Sequence, residues 1–311
     1  MTTPSMMPPS ATPTAGSCQD AGAAWPAPAK LNLMLRVVGR REDGYHELQT
    51  VFQFIDRCDR LWFDVREDGR ISRLNAVAGV AEQDDLTVRA ALALQRATGC
   101  TLGVNIRCEK NLPMGGGLGG GSSDAATTLV ALNRLWDIGL DEDALSAIAL
   151  PLGADVPVFV RGRAAWAEGV GERLVPVELP QSWFLVLVPA CFVSTRSVFS
   201  HPQLTRNSDP IKLADFLNGN IVNDCLPVVC CEYPPVAAAL EWLSDWGDSR
   251  LTGTGGCVFA SFDDRERAVD ACRQSPAGMN GFVAQGLNRS PLLVRADRES
   301  GEVPARSRRD A

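Results

Sequence analysis

Apolar and polar residues alternate along several stretches of the chain, and this period of two predicts β-strands. In residues 30–38, leucine and valine fill every second position on one face, so Lys30 and Asn32 are predicted to project together from the other face. Alternating or continuously apolar runs predict further strands. They span residues 48–55, 61–65, 101–108, 158–160, 164–168, 183–188, 257–262 and 281–287.

Apolar residues at three- and four-residue spacing predict helices between these strands. The clearest pattern runs through residues 125–135, with leucine, valine and alanine on one face. Further helices are predicted over residues 85–98, 141–150, 236–246 and 265–274. Residues 200–220 are polar and predict a loop.

A glycine-rich segment separates the strand at 101–108 from the helix at 125–135. It reads Pro113-Met-Gly-Gly-Gly-Leu-Gly-Gly-Gly-Ser-Ser-Asp-Ala-Ala126, with six glycines in the seven positions from Gly115 to Gly121. Glycines let the backbone approach an anion closely, and a helix N-terminus adds unpaired N–H groups and partial positive charge. Ser122 and Ser123 can cap the helix or contact a phosphate or a metal. We therefore predict a phosphate-binding loop.

Three other interpretations of this segment are weaker. A P-loop requires a lysine after the glycines, and none is present. Gly115, Gly117 and Gly120 match the dinucleotide pattern G-x-G-x-x-G, but no acidic residue ends a second strand roughly twenty residues later. A flexible linker is disfavoured because a strand and an apolar-faced helix flank the glycines.

Composition narrows the classes of function. The chain of 311 residues is 45% hydrophobic and 22% charged, which is typical of a globular protein of one large or two ordinary domains. Its net charge of −7 disfavours non-specific nucleic-acid binding. The longest uncharged apolar run, residues 183–193, is far shorter than the ~20 residues of a membrane span, so no membrane partner is expected.

The cysteines do not predict a metal site. Ten cysteines are scattered without a C-x-x-C pair, and the chain has two histidines, so we assign no protein metal site. Several cysteines lie within apolar runs, which favours buried thiols in a reducing cytoplasm.

The glycine-rich segment resembles the central motif of the GHMP kinases, the family of galactokinase, homoserine kinase, mevalonate kinase and phosphomevalonate kinase. The resemblance continues, in family order, over residues 26–33, 43–54, 152–159 and 250–259. It is strongest to a member of the non-mevalonate isoprenoid pathway that phosphorylates a cytidine diphosphate sugar alcohol. It extends from about residue 25 to about residue 295 and thus covers nearly the whole chain.

The resemblance implies an α+β fold of two domains with the active site in the cleft between them. We expect the domains to span residues 25–172 and 173–298. Residues 1–24 are expected to be a disordered extension, or the product of a start codon placed too far upstream, and residues 299–311 a disordered tail. A monomer and a dimer both stay open.

The resemblance also implies ATP and Mg²⁺ as cofactors and assigns a catalytic pair. Lys30 and Asp155 correspond to the family's active-site lysine and its catalytic aspartate. From the residues alone, Lys30 could be an exposed strand lysine and Asp155 a helix cap. The residues expected at the nucleotide are Lys110, Pro113, Met114, Gly115, Gly116, Gly117, Leu118, Gly119, Gly120, Gly121, Ser122, Ser123 and Thr195.

The second substrate is expected to bind beside this pair. By resemblance, Tyr45 and His46 bind a cytosine ring, and Phe199 stacks on it opposite Tyr45. The full set expected at this substrate is Asn32, Tyr45, His46, Asp155, Phe199 and Gly255. One alternative is another GHMP kinase whose substrate has no base, and the Gly-Tyr-His segment disfavours it. The other is a non-catalytic relative, which the presence of both Lys30 and Asp155 disfavours.

Three charged residues complicate the nucleotide site. Asp85 stands where the family has an asparagine that contacts adenine, and a carboxylate can only accept hydrogen bonds. Asp124 replaces an alanine or asparagine, and we expect it to point away from the phosphates. Lys110 is either a solvated lysine at a strand end or a charge that neutralises phosphate. Ser123 is a candidate metal ligand, although no acidic cluster indicates a metal site.

Overall fold

The structure is a computed structural model in which residues 24–299 are described. Its strands are β1 (Trp25–Arg40), β2 (His46–Arg66), β3 (Ile71–Arg73), β4 (Gly103–Glu109), β5 (Ala165–Gly169), β6 (Arg173–Pro176), β7 (Trp183–Val188), β8 (Arg250–Leu251), β9 (Val258–Phe262) and β10 (Asn280–Leu287). Its helices are α1 (Leu86–Thr98), α2 (Gly120–Leu135), α3 (Glu142–Ala149), α4 (Val156–Arg161), α5 (Thr195–Ser200), α6 (Leu213–Leu217), α7 (Leu226–Glu232), α8 (Pro234–Ser244), α9 (Arg265–Arg273) and α10 (Pro291–Glu299). The predicted α+β class is confirmed.

The long strand β2 organises the first half of the chain. It pairs antiparallel with β1, β4 and β5, and β1 follows it from Trp25 opposite Leu61 to Arg40 opposite His46. Helices α1, α2 and α4 cover one side, and their apolar faces form a core with the sheet. Within this core, Phe54 of β2 meets Phe159 of α4 edge to face, with ring centroids 5.7 Å apart. The glycine-rich segment enters α2 at the edge of this core.

The second half joins the same sheet. Strand β7 lies between β9 and β10, and the end of β10 pairs with β2 where Gly286 faces Ile55 and Leu287 faces Phe54. Within residues 24–299, the sheet therefore has ten strands and runs through both halves. A second core forms where α7, α8 and α9 pack against it.

Two elements cross the predicted division between residues 172 and 173. Strand β6 pairs with β5 and so belongs to the first sheet region. Helix α10 packs on β1 and α2, where Leu292 and Ala296 enter the first core. The exact division of the chain into two domains stays a prediction.

Three local predictions are wrong. Residues 158–160 lie in helix α4, because Pro157 stands in its first turn and Gly162 ends it in a left-handed conformation. The polar stretch 200–220 contains the short helix α6. The alternation of β1 breaks at a register shift between Asn32 and Met34, so that both Leu33 and Met34 are buried in the core.

The predicted extension at 1–24 lies outside the described residues except for Ala24, which is buried. The predicted tail at 299–311 lies outside them except for Glu299, the last residue of α10. Within residues 24–299, no helix has the length and apolar character needed to cross a membrane.

Candidate active site

A cleft of about 1060 Å³ opens where the two cores meet. The first half contributes β1, β2, the start of α1, the glycine-rich segment and the turn before α4. The second half contributes α5 and the turn between β8 and β9. This volume is at the upper end of ordinary ligand pockets, so the cleft has room for a nucleotide and a second substrate.

The glycine-rich segment forms one wall in a conformation that L-residues rarely adopt. Gly115, Gly117 and Gly119 have φ values of 71°, 76° and 74°. Gly119 is the N-cap of α2 and provides no side-chain cap, so neither serine of the segment serves as the N-cap. The first-turn N–H groups of α2 are therefore left for a ligand or solvent. This is the arrangement that binds phosphate at a helix N-terminus.

A second glycine turn, residues 252–256, presses against this wall from the other half of the chain. The N–H of Cys257 donates to the carbonyl of Gly116 at 2.9 Å. A Cβ on Gly117 would lie 2.4 Å from the carbonyl oxygen of Thr252, closer than any real Cβ approaches. The close contact between the two turns therefore requires glycine at position 117.

Lys30 lies at the base of the cleft and is almost fully buried, with 3% of its surface exposed. Its Nζ donates to Asn32 Oδ1 at 2.5 Å and to the carbonyl of Gly117 at 3.0 Å. It also forms an ion pair with Asp155, 3.3 Å from Oδ2. The prediction that Lys30 and Asn32 share a face is confirmed, whereas an exposed strand lysine is excluded.

Asp155 stands at the N-cap position of α4 but makes no capping hydrogen bond. Its side chain is 36% exposed, lines the cleft and reaches Lys30 instead. The carboxylate is therefore accessible from the cleft. A carboxylate that is free of the cap and paired with one ammonium can accept a hydrogen bond from a ligand.

A chain of buried polar groups orients Lys30. Asn32 Nδ2 donates to the hydroxyl of Thr50 at 2.9 Å, and that hydroxyl donates to the carbonyl of Met34 at 2.5 Å. Thr252 fixes the backbone of Asn32 by accepting its N–H at 3.0 Å. Asn32 is thus largely occupied by protein partners, and Thr50 is a supporting residue that the sequence did not reveal.

Lys110 lies on the nucleotide side between two buried aspartates. Its Nζ donates to Asp59 Oδ2 and, at 2.6 Å, to Asp124 Oδ2. Burial lowers the pKa of Lys110, but the charges of Asp124 and Asp59 outweigh it and leave the pKa above its ordinary value. Lys110 is therefore not a solvated lysine, because its ammonium already contacts Asp59 and Asp124 before any phosphate binds.

The two aspartates differ in their surroundings. Asp59 is fully buried, and its Oδ1 accepts the N–H groups of Asn111 and Leu112 at 2.5 and 2.8 Å, just before the glycine-rich segment. Asp124 is 5% exposed, and burial raises its pKa to about 8 against the opposing effect of Lys110. Asp124 lines the cleft beside Lys110, and the ion pair with Lys110 occupies one of its oxygens.

Asp85 caps helix α1. Its Oδ1 accepts the N–H and the hydroxyl of Thr87 at 2.8 and 2.6 Å, and its Oδ2 accepts Arg73 Nη1 at 2.6 Å. Burial raises the pKa of Asp85, but these hydrogen bonds and Arg73 outweigh it and hold the pKa below its ordinary value. Both oxygens thus already accept hydrogen bonds from the protein.

The far end of the cleft carries the aromatic residues. His46 is buried and stacks on Phe199 with ring centroids 5.1 Å apart and planes 21° apart. Tyr45 is 62% exposed at the rim. Burial lowers the pKa of His46, and the charges of Arg206 and Arg40 lower it further. Phe199 thus stacks on His46 in the described structure, whereas the exposed ring of Tyr45 is accessible to a ligand.

Most residues predicted at the site line this one cleft. The two exceptions are Ser123, which is fully buried in α2, and Gly255, which packs toward Val229 and Leu251. Gly253 and Thr254 line the cleft in place of Gly255, and Thr254 joins Thr195 by a hydroxyl contact of 2.9 Å. The predicted residues that line the cleft are Lys30, Asn32, Tyr45, His46, Lys110, Pro113, Met114, Gly115, Gly116, Gly117, Leu118, Gly119, Gly120, Gly121, Ser122, Asp155, Thr195 and Phe199.

Oxygen groups that could contact a metal are few. Among residues 24–299, no cluster of three or more histidine, cysteine, aspartate or glutamate side chains could hold a metal ion. The hydroxyl of Ser122 and the carboxylate of Asp155 line the cleft near the glycine-rich wall. This donor set fits Mg²⁺ carried mainly by phosphate oxygens, because Mg²⁺ binds proteins through one or two oxygens plus substrate phosphates.

Comparisons with known proteins match both halves of the chain. The model for the GHMP kinases N terminal domain matches residues 85–163, and the model for the GHMP kinases C terminal region matches residues 202–279. A curated relative from Nitrosococcus oceani, named 4-diphosphocytidyl-2-C-methyl-D-erythritol kinase, is 57% identical over 86% of this chain and 96% of its own. One from Halorhodospira halophila with the same name is 56% identical over 86% and 94%.

The fold matches solved structures of kinases. A crystal structure of 4-(cytidine 5'-diphospho)-2C-methyl-D-erythritol kinase aligns with a TM-score of 0.73 and 33% identity over 85% of this chain and 98% of that one. The mevalonate kinase of Methanococcus jannaschii aligns with a TM-score of 0.64 and 15% identity over 87% and 100%, which shows a shared fold alone.

Proposed function

The chain belongs to the GHMP kinase family, and on that premise we propose that it phosphorylates 4-diphosphocytidyl-2-C-methyl-D-erythritol. ATP donates its γ-phosphate to the C2 hydroxyl, which yields the 2-phosphate and ADP in the methylerythritol phosphate route to isoprenoid precursors. The observation that carries this proposal is the 57% identity, over nearly the whole length of both chains, to a relative of that name. The cleft supports it with a phosphate-type wall, a lysine–aspartate pair and an aromatic end.

ATP phosphates would lie along Gly115–Ser122. The left-handed glycines bring backbone groups close to the cleft, and the uncapped start of α2 adds N–H donors and the positive end of the helix dipole. Thr195 and Thr254 face this wall from the other half and can close the site over the phosphates. Lys110 would contribute its charge together with Asp59 and Asp124 rather than as a free cation.

Mg²⁺ belongs to this proposal as the partner of the ATP phosphates. When bound, it supplies charge neutralisation between the phosphate groups. The hydroxyl of Ser122, which lines the cleft at the glycine-rich wall, would contact it. Ser123, named from the sequence, would need to leave its buried position to contact the ion.

Lys30 and Asp155 would carry the transfer step. The C2 hydroxyl oxygen forms the new bond to the γ-phosphorus while the bond from that phosphorus to ADP breaks, and Asp155 accepts the hydroxyl proton. A positioned base is worth about 10²–10⁴-fold in rate. Lys30, held by Asn32, Gly117 and Asp155, would place its positive charge beside the transferring group and stabilise the charge of that group.

The aromatic end would bind the cytidyl group. Tyr45 offers an exposed ring for stacking, and the pair of His46 and Phe199 forms the opposite side. Stacking of a base on an aromatic side chain is worth about 1–3 kcal/mol. A small acceptor without a base would leave this end of the cleft empty. We also propose a cytoplasmic location, where the buried thiols of Cys108, Cys225 and Cys257 would stay reduced.

An ADP-release assay with ATP and Mg²⁺ tests this function. Diphosphocytidyl methylerythritol is compared with mevalonate, homoserine and no acceptor, and Asp155→Asn is compared with Asp143→Asn, an exposed aspartate outside the cleft. We expect ADP with the cytidyl substrate alone, from the wild type and from Asp143→Asn. Release with another acceptor would refute the roles of the aromatic residues, and no release from folded protein would indicate a non-catalytic relative.

A further inference from the structure

Arg206 lies directly behind His46 and is held rigidly by the backbone. Its Nη2 donates to the carbonyl oxygens of Phe199 and His201 at 2.9 and 2.7 Å, and its Nη1 donates to that of Leu204 at 3.1 Å. The remaining nitrogen, Nε, donates to His46 Nε2 at 3.1 Å. The guanidinium is thus fixed by the end of α5 and presents one N–H to the imidazole.

This contact determines where the proton of His46 resides. A guanidinium stays charged and has donors only, so the nitrogen that it contacts must present a lone pair. His46 is therefore neutral, with Nε2 as acceptor and the proton on Nδ1. Burial disfavours a second proton, and so do the positive charges that face the ring, Arg206 from the loop after α5 and Arg40 from β1.

The Nδ1–H group is left available for a ligand. No hydrogen bond joins it to any of residues 24–299, and His46 lines the cleft. The ring is also held in plane by Phe199. His201, by contrast, accepts the N–H of Gln203 at its Nδ1, 3.2 Å away, which places its own proton on Nε2 near Glu232. The two histidines of the chain therefore hold opposite tautomers.

We propose that Arg206 is a positioning residue that determines specificity for the cytidyl group, an inference that rests on the proposed function. It holds His46 as a neutral Nδ1–H donor, and this donor pairs with an acceptor atom, O2 or N3, of the stacked cytosine. In unrestrained imidazoles the Nε2–H tautomer predominates, so without Arg206 the ring would present a lone pair where the base also has one. The residue then acts through His46 and never touches the substrate.

Long-range ¹H–¹⁵N NMR of the histidine side chains tests the tautomer without substrate or activity. His201→Gln assigns the signals, because the chain has only two histidines. We expect wild-type His46 to carry its proton on Nδ1 and to stay neutral on acidification past the ordinary histidine pKa, with His201 in the Nε2–H form. A proton on Nε2 of His46, or a doubly protonated ring at neutral pH, would overturn the proposal.

Arg206→Met tests the recognition step. We expect the His46 proton to move to Nε2, its pKa to rise, and the KM for the cytidyl substrate to increase about three- to tenfold, the value of one neutral hydrogen bond. The KM for ATP should not change, whereas a general loss of structure would raise the KM for both substrates. A tautomer change without a KM change would overturn the specificity role. Absence of wild-type turnover with the cytidyl substrate would instead contradict the proposed function, while the NMR result would still decide the tautomer.

Discussion

Replacing Gly117 with alanine tests the contact between the two glycine turns. The added Cβ would lie 2.4 Å from the carbonyl oxygen of Thr252 and 3.0 Å from that of Gly255. Both obstacles are backbone atoms, so neither can rotate away. Because the Gly117 carbonyl also accepts the Lys30 ammonium, any shift of the turn displaces the predicted catalytic lysine.

Gly139→Ala provides a matched control. Gly139 has the same φ of 76°, but nothing lies within 4 Å of its Cβ position. Both variants lose about 1–2 kcal/mol for the left-handed conformation. Gly117→Ala loses about 1–3 kcal/mol more from overpacking, unless the turn moves and so relieves the clash. A misplacement of about 1 Å at the reacting groups costs on the order of 10²-fold in rate.

Thermal unfolding and steady-state kinetics on the two variants separate these effects. Gly139→Ala should lower the Tm by about 2–4 °C per kcal/mol lost and leave kcat unchanged. Gly117→Ala should lose more stability and about 10²-fold in kcat. Equal kcat values for the two alanine variants would show that the close approach of the turns has no bearing on Lys30.

Three further variants test the roles of Asp155, Thr50 and Asp124. Asp155→Asn should lower kcat by about 10²–10⁴-fold with little change in either KM, and unchanged turnover would exclude it as the base. Thr50→Val leaves the Asn32 amide and the carbonyl of Met34 unpaired, so we expect about 1–3 kcal/mol less stability and a lower kcat. The control Thr50→Ser should stay near wild type. A normal kcat in Thr50→Val would show that Lys30 does not need the support of Thr50. Asp124 has a raised pKa, so its contribution to stability is present below pH 3.8 and is lost as the pH rises through about 8. Unfolding of Asp124→Asn followed across that window should show a smaller decline than the wild type, and parallel curves would contradict the assignment.

The sequence predicted the elements whose signals are local. The glycine-rich wall, the strand face shared by Lys30 and Asn32, and most strands and helices follow from spacing and periodicity. Resemblance to the family supplied Asp155 and the aromatic residues, whose separation in the chain gives no physical clue that they share one cleft. It could not supply the contacts of these residues with one another, such as the stacking of Phe199 on His46.

The supporting residues could not be predicted because their partners lie far away in the chain. Asp59 holds residues 111 and 112, and Arg206 reaches back to His46. Neither contact follows from periodicity or from a motif. Lys110 and Asp124 were recognised as unusual charges, but their pairing depends on the buried carboxylate of Asp59 on β2.

Two of the wrong local predictions have separate physical causes. The run Val158–Val160 is rich in β-branched residues, which favour strands on a pleated surface. Here Pro157 in the first turn, Gly162 at the C-cap and packing against α2 outweigh that preference. At β1, the register shift after Asn32 moves Met34 into the core, and alternation of residue types alone cannot locate such a shift.

Phosphorus-31 NMR of the complete reaction tests the central claim, transfer of a phosphoryl group to the cytidyl alcohol, most directly. Protein, ATP, Mg²⁺ and diphosphocytidyl methylerythritol are followed until ATP is consumed. We expect the ATP signals to give way to those of ADP and one new phosphomonoester, with the pyrophosphate signals of the cytidyl substrate retained. Inorganic phosphate without a new ester, or a broken cytidyl pyrophosphate, would contradict the proposed reaction.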